Sequence, residues 1–476
     1  MLKFNSGCKL HWFGLLFLII NSNFIYSQSL FKNNPNIIII LADDLGYADV
    51  GFNGSKDIPT PNIDKIAKGG VTFTRGYVSY AVCGPSRAGL ITGRYQDKFG
   101  FAKNPLLAPN DAAMGLPLTE QTIANYLKQQ NYTTTAIGKW HLGAHQTLRP
   151  NKRGFDEFYG FLSGGHRYFP EELTLQDLSE IKSQFDGYKT KLLRNNSRVE
   201  ETEYLTDAFS REAVSFVKRK GNNPFFMYLA YNAPHSPLQA TDKYLDRFKD
   251  IKDPKRRTYA AMVSAMDDGI GLLLNQLEQQ NLTNNTLIFF LSDNGGPTND
   301  NASNNSPLRG FKGDFFEGGI RVPFAMKWPA QITANTIYNK PVISLDIFAT
   351  IVGYLGGKTK SELDGQDLLP FLKSDNNKYP HEFLYWRNFE KNKFAIIQHD
   401  FKLIEEQDNQ KFLFNLGQDV KETNNLIQTN ITKLDFLKKE LWNWKKLLQT
   451  PKFDGLLDDD IYTKSHPDRY QITIHK

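Results

Sequence analysis

Four stretches of the chain read as buried strands, three of them almost continuously apolar, and each stops on residues able to do chemistry. Asn36 to Leu41 reads Asn-Ile-Ile-Ile-Ile-Leu, the pattern of a parallel strand buried on both faces, and runs into Asp43-Asp44. Tyr132 to Ile137 is rich in Thr and ends at Gly138-Lys139-Trp140-His141. Phe225 to Tyr231 ends at Ala233-Pro234-His235, and Thr286 to Leu291 ends at Asp293-Asn294-Gly295-Gly296. Ligands of open α/β sheets bind beyond the carboxyl ends of the strands. The pattern therefore predicts that carboxylates, an amide, a lysine and two histidines gather at one end of one sheet.

Helical spacing fills the gaps between these runs. Leu118 to Gln129 places Ile123, Tyr126 and Leu127 on one face, and Arg257 to Gln276 carries a stripe of Ala260, Val263, Met266 and Ile270. Alternating strand and helix argues for a doubly wound sheet. Asn299 to Ser306 is polar and Asn-rich, which reads as a surface loop; Leu173 to Thr206 reads as an insertion with some helix. The texture changes after about Asp375. Lys393 to Gln398, Phe401 to Glu405 and Lys411 to Asn415 are short, closely spaced runs that predict a small antiparallel sheet. Ile431 to Leu448 follows, with Leu434, Leu437, Leu441 and Trp444 at helical spacing. No internal repeat is visible.

At 476 residues, 40% of them apolar and 13% aromatic, the chain is globular and long enough for a large α/β domain with an appendage. The N-terminus predicts a cleaved signal peptide over 1–27: Lys3 and Lys9 supply a positive start, Trp12 to Ile20 an apolar core, and Ser27 a cleavage edge. That core is shorter than the ~20 residues of a membrane span, so the expected product is soluble, secreted or periplasmic, with no stable membrane association. Losing Lys3 and Lys9 takes the net charge from +6 to +4. With no long Lys/Arg run, nucleic acid is not an expected partner. Cys8 leaves with the leader, so Cys83 stands alone and no intramolecular disulfide can form. Its uses are then packing, metal binding or chemistry, and packing is the commonest.

The surroundings of Cys83 point away from packing. It opens Cys83-Gly84-Pro85-Ser86-Arg87-Ala88-Gly89-Leu90-Ile91-Thr92-Gly93-Arg94, where Pro85 and Ser86 predict a helix start, Arg87 brings a cation and Gly89 permits close approach. Asp43, Asp44, Asp293 and Asn294 offer only oxygen ligands, which suits a hard cation. One such pair alone would read as a turn or a helix cap. Singly, a Lys or Arg is usually a solvated surface charge and a lone His a satisfied hydrogen-bonding group.

The pattern C-x-P-S-R-x-x-x-L-x-T-G-R resembles the signature of the type I, formylglycine-dependent sulfatases. Leu308-Arg309-Gly310-Phe311-Lys312-Gly313, Glu317-Gly318-Gly319-Ile320-Arg321-Val322-Pro323, Gly365 to Leu372 and Phe414 to Leu426 are also similar to that family, so the resemblance covers nearly the whole mature chain. It implies an alkaline-phosphatase-like α/β sandwich: a large, mainly parallel central sheet flanked by helices, with a small C-terminal antiparallel sheet and its helix. A catalytic domain over 28–375 and a C-terminal subdomain over 376–476 are expected. It implies that Cys83 is oxidised to formylglycine (3-oxoalanine) by a formylglycine-generating enzyme, and that Asp43, Asp44, Asp293 and Asn294 hold Ca²⁺ together with residue 83. Arg87, Lys139, His141, His235 and Lys312 are then the catalytic set around a sulfate monoester. Under this resemblance Arg87 and Ca²⁺ hold the hydrated side chain, Lys139 and His141 position it, His235 with Lys312 protonates the leaving oxygen, and Asn294 orients the nucleophile.

The implied substrate is a sulfated carbohydrate. Arg149, His166, Arg167, Trp386 and Arg387 are candidates for contacting it, because aromatic and cationic groups suit an anionic saccharide; surface or core roles stand equally open for them. His145, His381 and His399 are expected to be structural or on the substrate side. The rival readings are a phosphodiester or phosphonate monoester hydrolase on the same scaffold, a calcium-dependent glycan-binding protein without activity, and a thiol hydrolase using Cys83.

Overall fold

The four runs lie side by side at the middle of one sheet. The computed structural model describes residues 1–2, 34–176, 178–220, 223–373 and 378–470. The expected leader lies outside the described residues apart from its first two. In chain order the early strands are β1 (Asn36–Ala42), β2 (Val71–Phe73), β3 (Gly76–Tyr77), β4 (Thr133–Lys139), β5 (Glu157–Phe161), β6 (Leu192–Arg194) and β7 (Ser197–Val199). Then come β8 (Phe225–Ala230), β9 (Thr286–Ser292), β10 (Phe324–Lys327), β11 (Thr336–Tyr338) and β12 (Val342–Ile343). The large sheet runs β11-β2-β10-β9-β1-β8-β4-β5-β6-β7, and β3 pairs with β12. Its centre, β9-β1-β8-β4-β5, is parallel throughout.

Alternation along β1 shows why the run had to be wholly apolar. Ile37, Ile39 and Leu41 enter one hydrophobic core, while Ile38, Ile40 and Ala42 enter another on the opposite face. Each of the four isoleucines is at most 1% exposed, and each contributes about 1.5–3 kcal/mol by burial. Register then sets the site. Ala42 pairs with Ser292, and Leu41 pairs with both Leu291 and Ala230, while Ala230 pairs with Gly138. Asp43, Asp293, Tyr231 and Lys139 therefore leave the sheet within one residue of a common level.

The second core is capped by two helices, Leu205–Arg219 and Pro254–Gln279. The latter begins three residues earlier than its stripe predicts, because Asp253 caps it by accepting from the Lys255 amide and Pro254 occupies the first turn. The helix predicted from Leu118 starts instead at Ile123: Thr122 and Asn125 form a reciprocal cap there, and Leu118 is exposed on the preceding turn. The stretch from Leu173 to Thr206 holds short 3₁₀ turns and the β6–β7 hairpin, which adds an edge to the sheet; its last two residues enter the Leu205–Arg219 helix.

Beyond the sheet, β13 (Leu384–Asn388), β14 (Lys393–Gln398), β15 (Phe401–Glu405) and β16 (Lys411–Asn415) form a four-stranded antiparallel sheet. Three of these were expected; β13 is the addition. The helix Ile431–Lys445 lays Leu434, Leu437, Leu441 and Trp444 into the same core and stops three residues short of the expected Leu448. Among the described residues no helix is long and apolar enough to cross a membrane.

Candidate active site

Cys83 opens a helix, Cys83–Thr92, that is buried along its whole length. The helix begins at Cys83 itself, two residues ahead of the expected Pro85–Ser86 start. Residue 83 therefore meets the positive end of the helix dipole. Gly89 sits where a Cβ would fall 2.2 Å from the Ser79 hydroxyl, and Gly93, at φ 65°, ends the helix in a left-handed turn.

The expected catalytic and metal-binding residues come together here. The Cys83 Sγ lies 3.6 Å from Asp43 Oδ1. One ligand atom each from Asp43, Asp44, Cys83 and Asp293 lies within 4.8 Å of the others. Arg87 donates through Nε to Asp293 Oδ2 at 2.9 Å, with a second nitrogen 2.7 Å from the same oxygen and 3.5 Å from Asp43 Oδ1. Lys139 donates to Asp43 Oδ2 at 2.7 Å. Lys312 lies 2.8 and 2.9 Å from the two oxygens of Asp44. His235 Nε2 faces Asp44 Oδ2 at 3.6 Å, while its Nδ1 is held 2.6 Å from the Ser236 carbonyl. His141 is 4% exposed, and its Nδ1 is buried without a partner. Asp44 and His141 both adopt positive φ, 65° and 56°. Such strain in a non-glycine residue persists only where its surroundings enforce it, and it concentrates at functional sites.

Charge here is balanced but crowded. Asp43, Asp44 and Asp293 face Arg87, Lys139 and Lys312, three charges of each sign. Burial alone would raise the Asp43 carboxyl, but Lys139, His235, Arg87 and Lys312 hold it far below the usual range. Burial and then the Asp43 charge push Asp293 up to about 6 against Arg87 and Lys139. Burial, Lys139 and Arg87 keep His141 well below its ordinary value, and burial lowers His235 despite the nearby aspartates. The Cys83 thiol is pushed up to about 12, by burial first and the Asp293 charge second.

A hard cation fits this donor set. Three carboxylates and one amide converge, and Asn294 Oδ1 is buried without a partner while its Nδ2 donates to Asp44 Oδ1 at 2.7 Å. A divalent ion would satisfy that oxygen and relieve the crowding around Asp293. It would also turn a neutral cluster positive, which suits an anionic substrate.

The Asn-rich stretch is only in part the surface loop its composition predicts: Asn299, Asp300, Asn304 and Ser306 are exposed, but others turn inward. Asn301 and Asn305 are 0% and 3% exposed. Asn301 donates to the Asp44 carbonyl, Asn305 accepts from the Tyr47 and Gly296 amides, and the Asn304 carbonyl accepts from Ala48. These residues tie the Asp43–Asp44 loop to the Asp293–Asn294 loop. Asparagine is polar whether exposed or buried and satisfied, so only the density of Asn could have flagged it.

Three of the expected substrate contacts are elsewhere. Trp386 is fully buried and donates to the Val78 carbonyl. Arg387 is buried against the Gln449 carbonyl and Phe389. His166 sits between the Arg167 and Thr190 carbonyls, and burial lowers it to about 4. Their aromatic and cationic chemistry serves the core. Arg149 donates to the Ala144 carbonyl, and Arg167 faces Glu172 at 3.4 Å.

A sulfatase family model matches residues 35–357. Human N-acetylgalactosamine-6-sulfatase is 32% identical over 355 residues, which is 71% of this chain and 66% of that protein. The chain belongs to the sulfatase family. It is thus a member of a family of sulfuric ester hydrolases. Human steryl-sulfatase is 31% identical over 431 residues, covering 75% of this chain and 73% of the relative. The chain thus spans about two thirds of the length of these curated relatives. A C-terminal model of N-sulphoglucosamine sulphohydrolase matches residues 312–449. Among solved structures, Ps i-CgsB in complex with k-i-k-neocarrahexaose superposes with a TM-score of 0.83 at 41% identity, over 92% of this chain and 100% of that one.

Proposed function

We propose that this protein hydrolyses sulfate monoesters on a sulfated oligosaccharide, with residue 83 as nucleophile once Cys83 has been oxidised to formylglycine by a maturation enzyme. One observation carries the reading: Cys83, four oxygen-bearing ligands and five cationic or imidazole side chains meet at the ends of four adjacent parallel strands. Family membership supports the sulfate ester, and the hexaose-bound neighbour supports an oligosaccharide.

Asp43, Asp44, Asp293 and Asn294 would hold Ca²⁺, which supplies positive charge to the sulfate oxygens and to residue 83. A hydrated formylglycine at residue 83 would supply two hydroxyls on one carbon, one able to accept the sulfuryl group and one able to expel sulfate as the carbonyl re-forms. Arg87 and Lys139 hold that side chain in place and screen the charge that develops there. His235, anchored through Nδ1 with Nε2 facing the centre, hands a proton to the departing sugar oxygen, with Lys312 beside it. His141 takes the proton released in the second step; its lowered basicity keeps it neutral and able to do so. An unmodified Cys83 is a poor nucleophile, since its thiol is held up to about 12. Residues 28–375 would form the catalytic domain and 376–476 the C-terminal subdomain of a secreted or periplasmic enzyme without stable membrane association.

The test uses protein co-expressed with a formylglycine-generating enzyme, assayed for sulfate release from k-i-k-neocarrahexaose and N-acetylgalactosamine 6-sulfate. Nitrophenyl sulfate and its phosphonate counterpart run alongside. The expected result is sulfate release, with phosphonate turnover at least about ten-fold slower. Faster phosphonate turnover would reassign the site to phosphorus esters. Saccharide binding without any turnover would leave only a glycan-binding protein.

A further inference from the structure

Beside His141 lies a cavity of about 160 Å³, walled by Ser163, Gln184, Phe185, Tyr188 and Leu456. That is room for roughly a dozen water-sized atoms, the bulk of one hexose ring. Three of its walls, Gln184, Phe185 and Tyr188, come from the insertion whose purpose the sequence left open. Phe185 is 71% exposed, more than any other described Phe or Trp. An aromatic ring left in water forgoes about 2 kcal/mol of burial, so its position asks for a reason.

The ring is presented on a fixed turn. Ser183 and Asp186 cap the 3₁₀ turn Gln184–Lys189. Gln184 accepts from the Leu107 amide at 2.9 Å and donates to the Tyr470 hydroxyl at 3.1 Å. The Tyr188 carbonyl accepts from the Arg167 amide at 2.9 Å. Tyr188 stands edge-on to Phe185, centroids 6.0 Å apart. A glycine pair sets the spacing to the catalytic centre. A Cβ on Gly164 would fall 2.8 Å from His141 Nε2, and one on Gly165 would fall 2.7 Å from the Tyr188 hydroxyl. Side chains at either position would push one wall off the other. Burial raises the Tyr188 phenol to about 12, with Lys312, Cys83, Asp43 and Asp44 all in electrostatic reach. The hydroxyl thus stays protonated, a donor near the reacting group.

A pyranose has an apolar C–H face and a polar rim, and this cavity has the complementary walls: aromatic and aliphatic surface with hydroxyl and amide tips. We propose that Phe185 and Tyr188 form the subsite for the pyranose that carries the sulfate, its C–H face on Phe185 and one of its oxygens accepting from the Tyr188 hydroxyl. The inference rests on the sulfated-oligosaccharide reading above and adds the residues that select the sugar.

Binding separates it from that reading. Affinities of unconverted protein for k-i-k-neocarrahexaose and for inorganic sulfate are measured by calorimetry in wild type, Phe185→Ala, Phe185→Trp and Tyr188→Phe. Phe185→Ala should weaken the hexaose about ten-fold, Tyr188→Phe about three-fold, and Phe185→Trp little. Sulfate affinity and melting temperature should not move. Hexaose affinity unchanged in Phe185→Ala, equal losses for hexaose and sulfate, or no hexaose binding by wild type would each overturn the subsite. Sugar binding that depends on Phe185 in a protein that never releases sulfate would keep the subsite and sink the activity.

Discussion

Among the described residues, two buried charge clusters are built to opposite ends. At the first, Lys402 on β15 bridges Glu317 and Glu422 at 2.9 Å each, and Glu317 also takes the Tyr77 hydroxyl and Arg321. All three charged side chains of that bridge are 0% exposed, so the cluster is sealed. It joins the C-terminal sheet to the main body. At the second, the Cys83 centre, Lys312 and His235 keep 18% and 11% of their side chains in contact with solvent, and Asn294 Oδ1 and His141 Nδ1 lack partners. The first spends its charge on itself: Glu422 Oε1, though it makes no hydrogen bond, is still ion-paired to Lys402 at 2.9 Å. The second retains capacity for a cation and an anionic ligand. What marks a functional site is then not buried charge but buried charge with unmet demand and a way in.

The largest expected effect falls on the open cluster. Cys83→Ala should lower sulfate release at least about 10⁴-fold, or about 5 kcal/mol of barrier, with an unchanged melting temperature; a variant within ten-fold of wild type would contradict the nucleophile assignment. At the sealed cluster the sign of the effect changes from activity to stability. Lys402→Met strands two carboxylates and should destabilise the fold by about 3–5 kcal/mol, read as a shift in urea midpoint, with kcat of the folded fraction preserved. Because burial and then Glu317, against the pull of Lys402, already raise Glu422 to about 7, protonation relieves the strain. The loss should therefore be smaller at pH 5 than at pH 8.

How much of this contrast could be read from the chain depends on range. The four central strands were legible because burial on both faces leaves few polar positions, the threonines of β4 apart, and their terminal Asp, Asn, Lys and His residues then follow by register. The Cys83 motif was legible because its spacing is local. The sealed cluster was not: Lys402 is the single polar side chain buried within β15, and nothing near it in sequence announces Glu317 or Glu422. The same blindness left Trp386, Arg387 and His166 open between substrate and core, and long-range packing takes them into the core. It also read Asn301 and Asn305 as surface, since hydrogen-bond satisfaction by distant backbone leaves no local trace.

Two smaller effects sharpen the comparison. Lys312→Met removes the partly exposed cation of the open cluster and should cost about 10²–10³ in kcat but less stability than Lys402→Met; the reverse order of stabilities would show the centre to be structural. His166, buried and lowered to about 4, binds fewer protons folded than unfolded. Below pH 6.5 the unfolded chain gains protons that the fold refuses, so stability falls as pH drops from about 6.5 to 4, by about 3 kcal/mol. His166→Gln should flatten that part of the urea-midpoint profile relative to wild type; an unchanged slope would refute it.

The most direct measurement is sulfate turnover plotted against the fraction of chains whose residue 83 is converted, set by limiting the maturation enzyme and read by intact mass. A straight line through the origin is expected, because only converted chains carry the nucleophile. Full turnover by chains still bearing the thiol would contradict the account.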